Sequence, residues 1–167
     1  MNALEARGRI SVRPYRDADR SACQELFDSN VPDYFAAVER KDFDAYLDDL
    51  QGPYFVMEDE PDTIVACGGY AAEEEDPTIA VLCWGMVRRD LHRCGFGRQL
   101  LAERLRRIAA EPQYSLVTIE TSQYSRGFFE RFGFAAERVV PDGFAPGLDL
   151  VEMELELSNR DVFVHMA

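Results

Sequence analysis

One stretch constrains this chain more than any other. An apolar run closes at Met86-Val87, the short loop His92-Arg93-Cys94-Gly95-Phe96-Gly97 follows, and a strong helical pattern begins at once. Leu101, Leu105 and Ile108 recur at i, i+4 and i+7, which predicts an amphipathic helix over Gly97 to Ala110 that stops near Pro112. Backbone N–H groups in a glycine-bearing turn at a helix start converge, and the helix dipole adds to them, so the segment can seat an anion such as a phosphate. Arg93 and Arg98 can add charge-assisted hydrogen bonds to the same oxygens. On these residues alone a plain helix-start turn fits equally well, because glycine marks turns freely. Two other phosphate motifs are excluded: the dinucleotide fingerprint needs a glycine where Leu100 stands, and the nucleotide loop needs a Gly-Lys-Ser/Thr that is absent.

The flanking segments give the fold class. Ile10 to Pro14 reads as an opening strand, and aspartates at 17 and 19 suit the start of a helix running through Phe27. Phe43, Tyr46, Leu47 and Leu50 mark a second helix ending before Gly52-Pro53. Tyr54 to Glu58 and Thr63 to Tyr70 read as a hairpin, and Thr78 to Val87 as a third antiparallel strand reached through a solvated acidic tip at Glu73 to Pro77. After the central helix come a buried strand at Leu116 to Glu120 and a helix capped by Ser122 and closed by Gly133. Strands at Ala136 to Val140 and Leu150 to Leu157, joined by a loop over Pro141 to Gly147, finish the pattern. The expectation is a mixed α/β (α+β) layer, mostly antiparallel, with helices on both faces and one domain spanning 1–167 with its core over about 10–157.

Charge narrows the partners. Net charge is −13, yet the stretch from Arg88 to Arg107 holds seven arginines against Asp90 and Glu103. So short a basic island in an acidic chain argues against nucleic acid and for a small anionic ligand. Arg104, Arg106 and Arg107 are expected on a solvated helix face. The cysteines at 23, 67, 83 and 94 lack zinc or redox spacing, and no window approaches a membrane span, so no metal, no membrane and a cytoplasmic location are expected.

The pattern V-x(4)-H-R-C-G-F-G-R-Q-L-L from Val87 to Leu101 resembles the coenzyme A pyrophosphate loop of the GNAT superfamily of N-acetyltransferases. Thr121 to Phe134, with Phe128-Phe129-Glu130-Arg131-Phe132-Gly133-Phe134, is similar to that family's second signature, and the element order agrees from Ile10 to Leu157. The resemblance implies an N-acetyltransferase that moves acetyl from acetyl-CoA to a primary amine of a small molecule or peptide, by direct attack on the thioester. A non-catalytic acyl-CoA-binding module of the same fold is the alternative.

Carried onto this sequence, the resemblance makes Met86, Val87, His92, Arg93, Cys94, Gly95, Phe96, Gly97 and Arg98 coenzyme A contacts, with Ser122, Ser125, Phe128 and Phe129 on the second signature. Phe129 stands where many members have a tyrosine that protonates the leaving thiolate, so Tyr124 is the candidate acid. Glu120, at the end of the central strand, is the candidate base. The acceptor is expected between two loops, touching Asn30, Tyr34, Phe35, Trp84 and Asp149. A monomer or homodimer fits, the latter through an exposed sheet edge near Leu150 to Leu157.

Overall fold

The computed structural model describes residues 10–166. Within them, seven strands form one sheet in the order β1-β2-β3-β4-β5-β7-β6. The strands are β1 (Ser11–Pro14), β2 (Tyr54–Glu60), β3 (Thr63–Ala72), β4 (Ile79–Val87), β5 (Leu116–Thr121), β6 (Ala135–Ala145) and β7 (Leu148–Glu156). Five α-helices accompany them: α1 (Arg20–Ser29), α2 (Arg40–Asp48), α3 (Phe96–Ala110), α4 (Arg126–Glu130) and α5 (Arg160–Val164). Every ladder is antiparallel except β4–β5, whose connection through α3 makes it parallel.

Alternation along the strands feeds two cores. On one face Tyr54, Val56, Cys67 and Met86 bury against Leu26 and Phe27 of α1 and Phe43 and Leu47 of α2. On the other, Phe55, Tyr70 and Leu82 meet Leu101, Leu105 and Ile108, the stripe that defines α3. Phe27 stacks on Phe43 at 5.5 Å, and Trp84 lies 5.2 Å from Phe43, so a three-ring cluster anchors the first two helices to β4. Such pairs contribute about 0.5–1.5 kcal/mol beyond their burial.

Several expectations change. The segment 141–147 is not an open loop: β6 runs to Ala145, returns through Pro146-Gly147, and pairs with β7 along a bulged hairpin. β7 therefore lies inside the sheet and β6 forms its edge, which removes the edge expected near Leu150 to Leu157. α2 ends at Asp48, before Leu50. The added α5 packs on α3, and its Arg160 donates to the carbonyls of Ala109 and Glu111 at the end of α3 and of Tyr114 in the turn beyond it. Charged side chains near a helix C-terminus satisfy its orphan carbonyls in this way.

Asp19 does not cap α1 by its side chain. Its buried carboxylate accepts from both terminal nitrogens of Arg13 at 2.8 and 2.9 Å and from the Arg16 N–H at 2.8 Å. The Arg13 guanidinium holds that carboxyl below the ordinary aspartate range. A depressed pKa means stability present above the unfolded value, about 3.9, and lost as pH falls through the folded one. Asp19→Asn should cost about 2 kcal/mol at pH 7, a drop of about 4–8 °C in Tm, with the gap to wild type closing below about pH 4. Coincident melting curves at pH 7 would show that the pair contributes nothing.

Candidate active site

The loop between β4 and α3 is wound by two left-handed residues. Arg93 has φ 63° and Gly95 φ 91°, and only the second is free of a Cβ penalty. A backbone bond from Cys94 N–H to Leu91 O closes the turn, and one from Gln99 N–H to Gly95 O opens the helix. No side chain caps α3 at Gly95, so the amides of Gly97 and Arg98 open its first turn without one. The protein leaves the space beside them empty: a Cβ on Gly95 would meet nothing within 4 Å, and one on Gly97 would only graze Phe128 and Val87 at 3.7 Å. Arg93 and Arg98 are exposed and bond to no other described residue. By contrast Arg88 pairs with Asp90, Arg89 with Asp33, and Arg106 and Arg107 with Glu103. Of the basic island, then, two uncommitted cations flank an amide-lined hollow, which fits a pyrophosphate.

This hollow opens into a cleft. β4 and β5 pair only over Ile79–Val81 and Leu116–Thr118. Beyond that β4 follows β3 and bulges at Trp84, whose φ is 43°, while β5 stays in register with β7 as far as Thr121. A positive φ on tryptophan costs on the order of 1–3 kcal/mol and persists because the neighbouring packing fixes it. The cleft is part of an extended groove of about 2030 Å³ that also runs past Gln51, Glu73 and Phe163, above the roughly 300–1,000 Å³ of common small-molecule pockets. A long cofactor and an acceptor have room together.

Main-chain direction distinguishes Met86 from Val87. The Arg88 N–H donates to Val65 O, so by alternation Val87 turns its main chain away from β3 toward the cleft, while Met86 stays in the ladder opposite Cys67. The Val87 carbonyl is taken by Asn30 Nδ2 at 2.9 Å and His92 Nε2 at 3.0 Å. His92 therefore donates from Nε2, leaving Nδ1 to accept from Arg89 at 3.4 Å. Burial pushes the imidazole pKa down, consistent with a neutral ring in both roles.

The cleft has an aromatic wall and an acidic one. Phe35, Tyr34 and Trp84 line the side of α1 and α2, with Phe35 stacked 5.0 Å from Phe27. The Tyr34 and His92 rings form a T-shaped pair with centroids 4.8 Å apart, and Tyr34 lies 6.2 Å from the exposed ring of Tyr124. Opposite, Val117 and Ile119 bury toward α3, so Thr118 and Glu120 point to the other face. Glu120 is exposed there, directly across from Glu152, and like charges so placed are relieved by Arg138, which donates to Glu152 at 2.8 Å.

Some candidates are placed elsewhere. Asp149 does not line the cleft; its carboxylate accepts from Asp142 N–H at 2.9 Å inside the β6–β7 hairpin, and Phe144 of that hairpin faces the cleft instead. Asn30 reaches the cleft wall but its amide ties Leu26 O to Val87 O, a structural bond. α4 begins at Arg126 after Ser125, so Ser122 is not its cap; the Ser122 carbonyl accepts from Ser125 and Arg126, and Tyr124 sits in the preceding turn. Phe128 borders Gly97, and Phe129 is buried between Phe128 and Phe134 at 5.1 and 5.4 Å. Arg104 is buried, not solvated.

A family model described as the acetyltransferase (GNAT) family matches residues 23–134, from α1 through both loops around the cleft. The chain belongs to this family. Solved structures share the GNAT fold at low identity. A GCN5-related N-acetyltransferase from Kribbella flavida is 20% identical, covers 93% of this chain and 100% of its own, and gives a TM-score of 0.73. An N-acetyltransferase from Staphylococcus aureus is 17% identical over 90% and 100%, with a TM-score of 0.71. Spermidine N-acetyltransferase from Vibrio cholerae, solved with CoA and spermine, is 14% identical over 90% and 97%, with a TM-score of 0.68. No curated protein matches the sequence. GNAT membership supports acyl transfer as the class of chemistry, and among the described residues no helix is long and apolar enough to cross a membrane.

Proposed function

We propose that this chain is an N-acetyltransferase that takes acetyl from acetyl-CoA and delivers it to a primary amine of a small molecule or peptide. The observation that carries this reading is the unfilled hollow at Gly95 and Gly97, flanked by two uncommitted arginines and continuous with the β4–β5 cleft. The amides of Gly97 and Arg98, with Arg93 and Arg98 side chains, hold the pyrophosphate; the Val87 N–H takes the pantetheine arm. When bound, acetyl-CoA supplies an activated thioester carbon at the point where β4 leaves β5.

The acceptor enters across the aromatic wall of Tyr34, Phe35 and Trp84, which suits an amine with an apolar body. Glu120, exposed on the acceptor face, takes the ammonium proton directly or through water. Glu152 and Glu154 also line the cleft and favour a cationic acceptor. The Vibrio fold relative, solved with the polycation spermine, is consistent with that charge class. Cytoplasmic location belongs to the same reading.

A free-thiol assay with acetyl-CoA and a panel of cationic, neutral and anionic acceptors tests it. Thiol release should require a cationic amine and rise with pH as the ammonium loses its proton. Release only with hydroxyl or anionic acceptors would overturn the acceptor class. Binding of acetyl-CoA without release by any acceptor would instead favour the non-catalytic module, the reading that Phe129 supports.

A further inference from the structure

Arg104 occupies the i+3 slot of the apolar stripe begun by Leu101, and only 3% of the residue is exposed. Its guanidinium lies over β3 and β4 where both strands carry glycine. A Cβ on Gly85 would come within 2.7 Å of Nη2 and force the guanidinium to move, and one on Gly68 would crowd both the Gly85 backbone at 3.0 Å and Cζ at 3.3 Å. The cation has almost no partners. Nη1 donates to Gly69 O over a long 3.4 Å, Nε bonds to nothing, and no carboxylate pairs with it among the described residues. The polar side chains around it are the phenols and thiols of Tyr46, Tyr54, Cys67 and Cys83, none of them a carboxylate. Tyr54 already donates to Trp84 O at 2.9 Å, which fixes the bulge from the opposite face. Burial lowers the Arg104 pKa only to about 10, so the group stays charged at neutral pH.

A buried cation without a counter-charge is unfavourable for the fold. Arg104 also lines the cleft, beneath the Trp84–Gly85 bulge where β4 turns away from β5. We infer that Arg104 is a positioning residue for acyl transfer: it supports the β4 bulge and places positive potential under the thioester carbonyl. The inference rests on the acetyl-CoA reading above. In the transfer, the amine nitrogen bonds to the carbonyl carbon, the carbon–sulfur bond breaks, and its electron pair leaves on sulfur. The nitrogen loses one proton and the departing thiolate gains one, so the products are an amide and free thiol. Negative charge on the carbonyl oxygen peaks between those events, and a preorganised cation in a dry site favours it.

The decisive probe is acetyl-CoA labelled with carbon-13 at the carbonyl, bound to the whole protein and read by NMR, which needs no acceptor. Wild type should displace the carbonyl resonance downfield of free acetyl-CoA. Arg104→Met should lose more than half of that displacement, melt at the same or a higher temperature, and show kcat at least about 10-fold lower with an amine found in the panel. Arg104→Lys, which keeps the charge, should retain more of the displacement than the methionine variant. It also stands as the folded control if that variant does not fold. An unchanged resonance in Arg104→Met, or its full loss in a folded Arg104→Lys, would overturn the role of the charge. Failure of wild type to bind acetyl-CoA would instead overturn the underlying reading.

Discussion

Gly97→Glu should abolish measurable acetyl-CoA binding, a loss of at least about 100-fold or roughly 2.7 kcal/mol, while leaving the fold intact. The two halves of that expectation come from different observations. Space around Gly97 is not needed by the protein, since an added Cβ makes only ordinary contacts at 3.7 Å with Phe128 and Val87, and its φ lies outside the left-handed region. Glutamate in the first turn of α3 also suits the helix dipole, so thermal stability should hold or rise slightly. The same carboxylate sits in the hollow proposed for the pyrophosphate, adding bulk and like charge where converging amides and Arg93 and Arg98 favour an anion. Gly95 would be a poorer probe, because its φ of 91° makes any substitution strain the loop itself. Gly97→Ala serves as control and should keep most of the affinity. Calorimetry giving the wild-type Kd for Gly97→Glu would place the cofactor elsewhere.

The fold was legible where period and punctuation agreed. The i, i+4, i+7 stripe of Leu101, Leu105 and Ile108 located α3, and the turn cluster Asp59-Glu60-Pro61-Asp62 located the β2–β3 hairpin, although β2 itself runs on to Glu60. Reading failed where one rule hid another. Pro141, Asp142 and Gly143 look like a loop, yet a bulge absorbs them within an edge strand, where proline and glycine are tolerated. The usual behaviour of charge runs sends Arg104 to solvent, yet its own i+3 position from Leu101 puts it on the buried stripe. The glycines at 68 and 85 that make room for it lie far away in sequence, so only the assembled sheet brings the three together.

The candidate site divides in the same way. The hollow at α3 is local, built from consecutive residues, and its arginines and glycines could be read directly. The face proposed for the acceptor is non-local: Glu120 is legible as a strand end, but Glu152 and Glu154 join it only because β7 pairs with β5. Asp149 and Asn30 carry side chains suited to a ligand, yet backbone donors and acceptors nearby claim them first. Composition alone cannot show such competition, since most side-chain hydrogen bonds go to backbone or water.

Tyr124→Phe should lower kcat by about 10- to 1000-fold with little change in acetyl-CoA affinity, somewhat below the roughly 100- to 10,000-fold typical of general acid–base help because a thiolate also leaves unaided. Phe129 carries no proton to give and is held in the core by Phe128 and Phe134. Both His92 nitrogens are engaged, Nε2 with Val87 O and Nδ1 with Arg89, and burial lowers the imidazole pKa. Tyr124 lies on the turn between β5 and α4, exposed over the cleft beside Tyr34, and its hydroxyl bonds to no other described residue. That leaves a phenol free to approach a departing sulfur from the mouth of the cleft. Separating kcat from binding matters here, because a packing role against Tyr34 would weaken acetyl-CoA affinity or melting temperature before it touched the chemical step. A thiol leaves tolerably near neutral pH with its pKa of about 8.5, so a surviving slow rate is expected. Wild-type kcat in Tyr124→Phe, measured with an acceptor identified in the amine panel, would eliminate the tyrosine and leave water as the proton source.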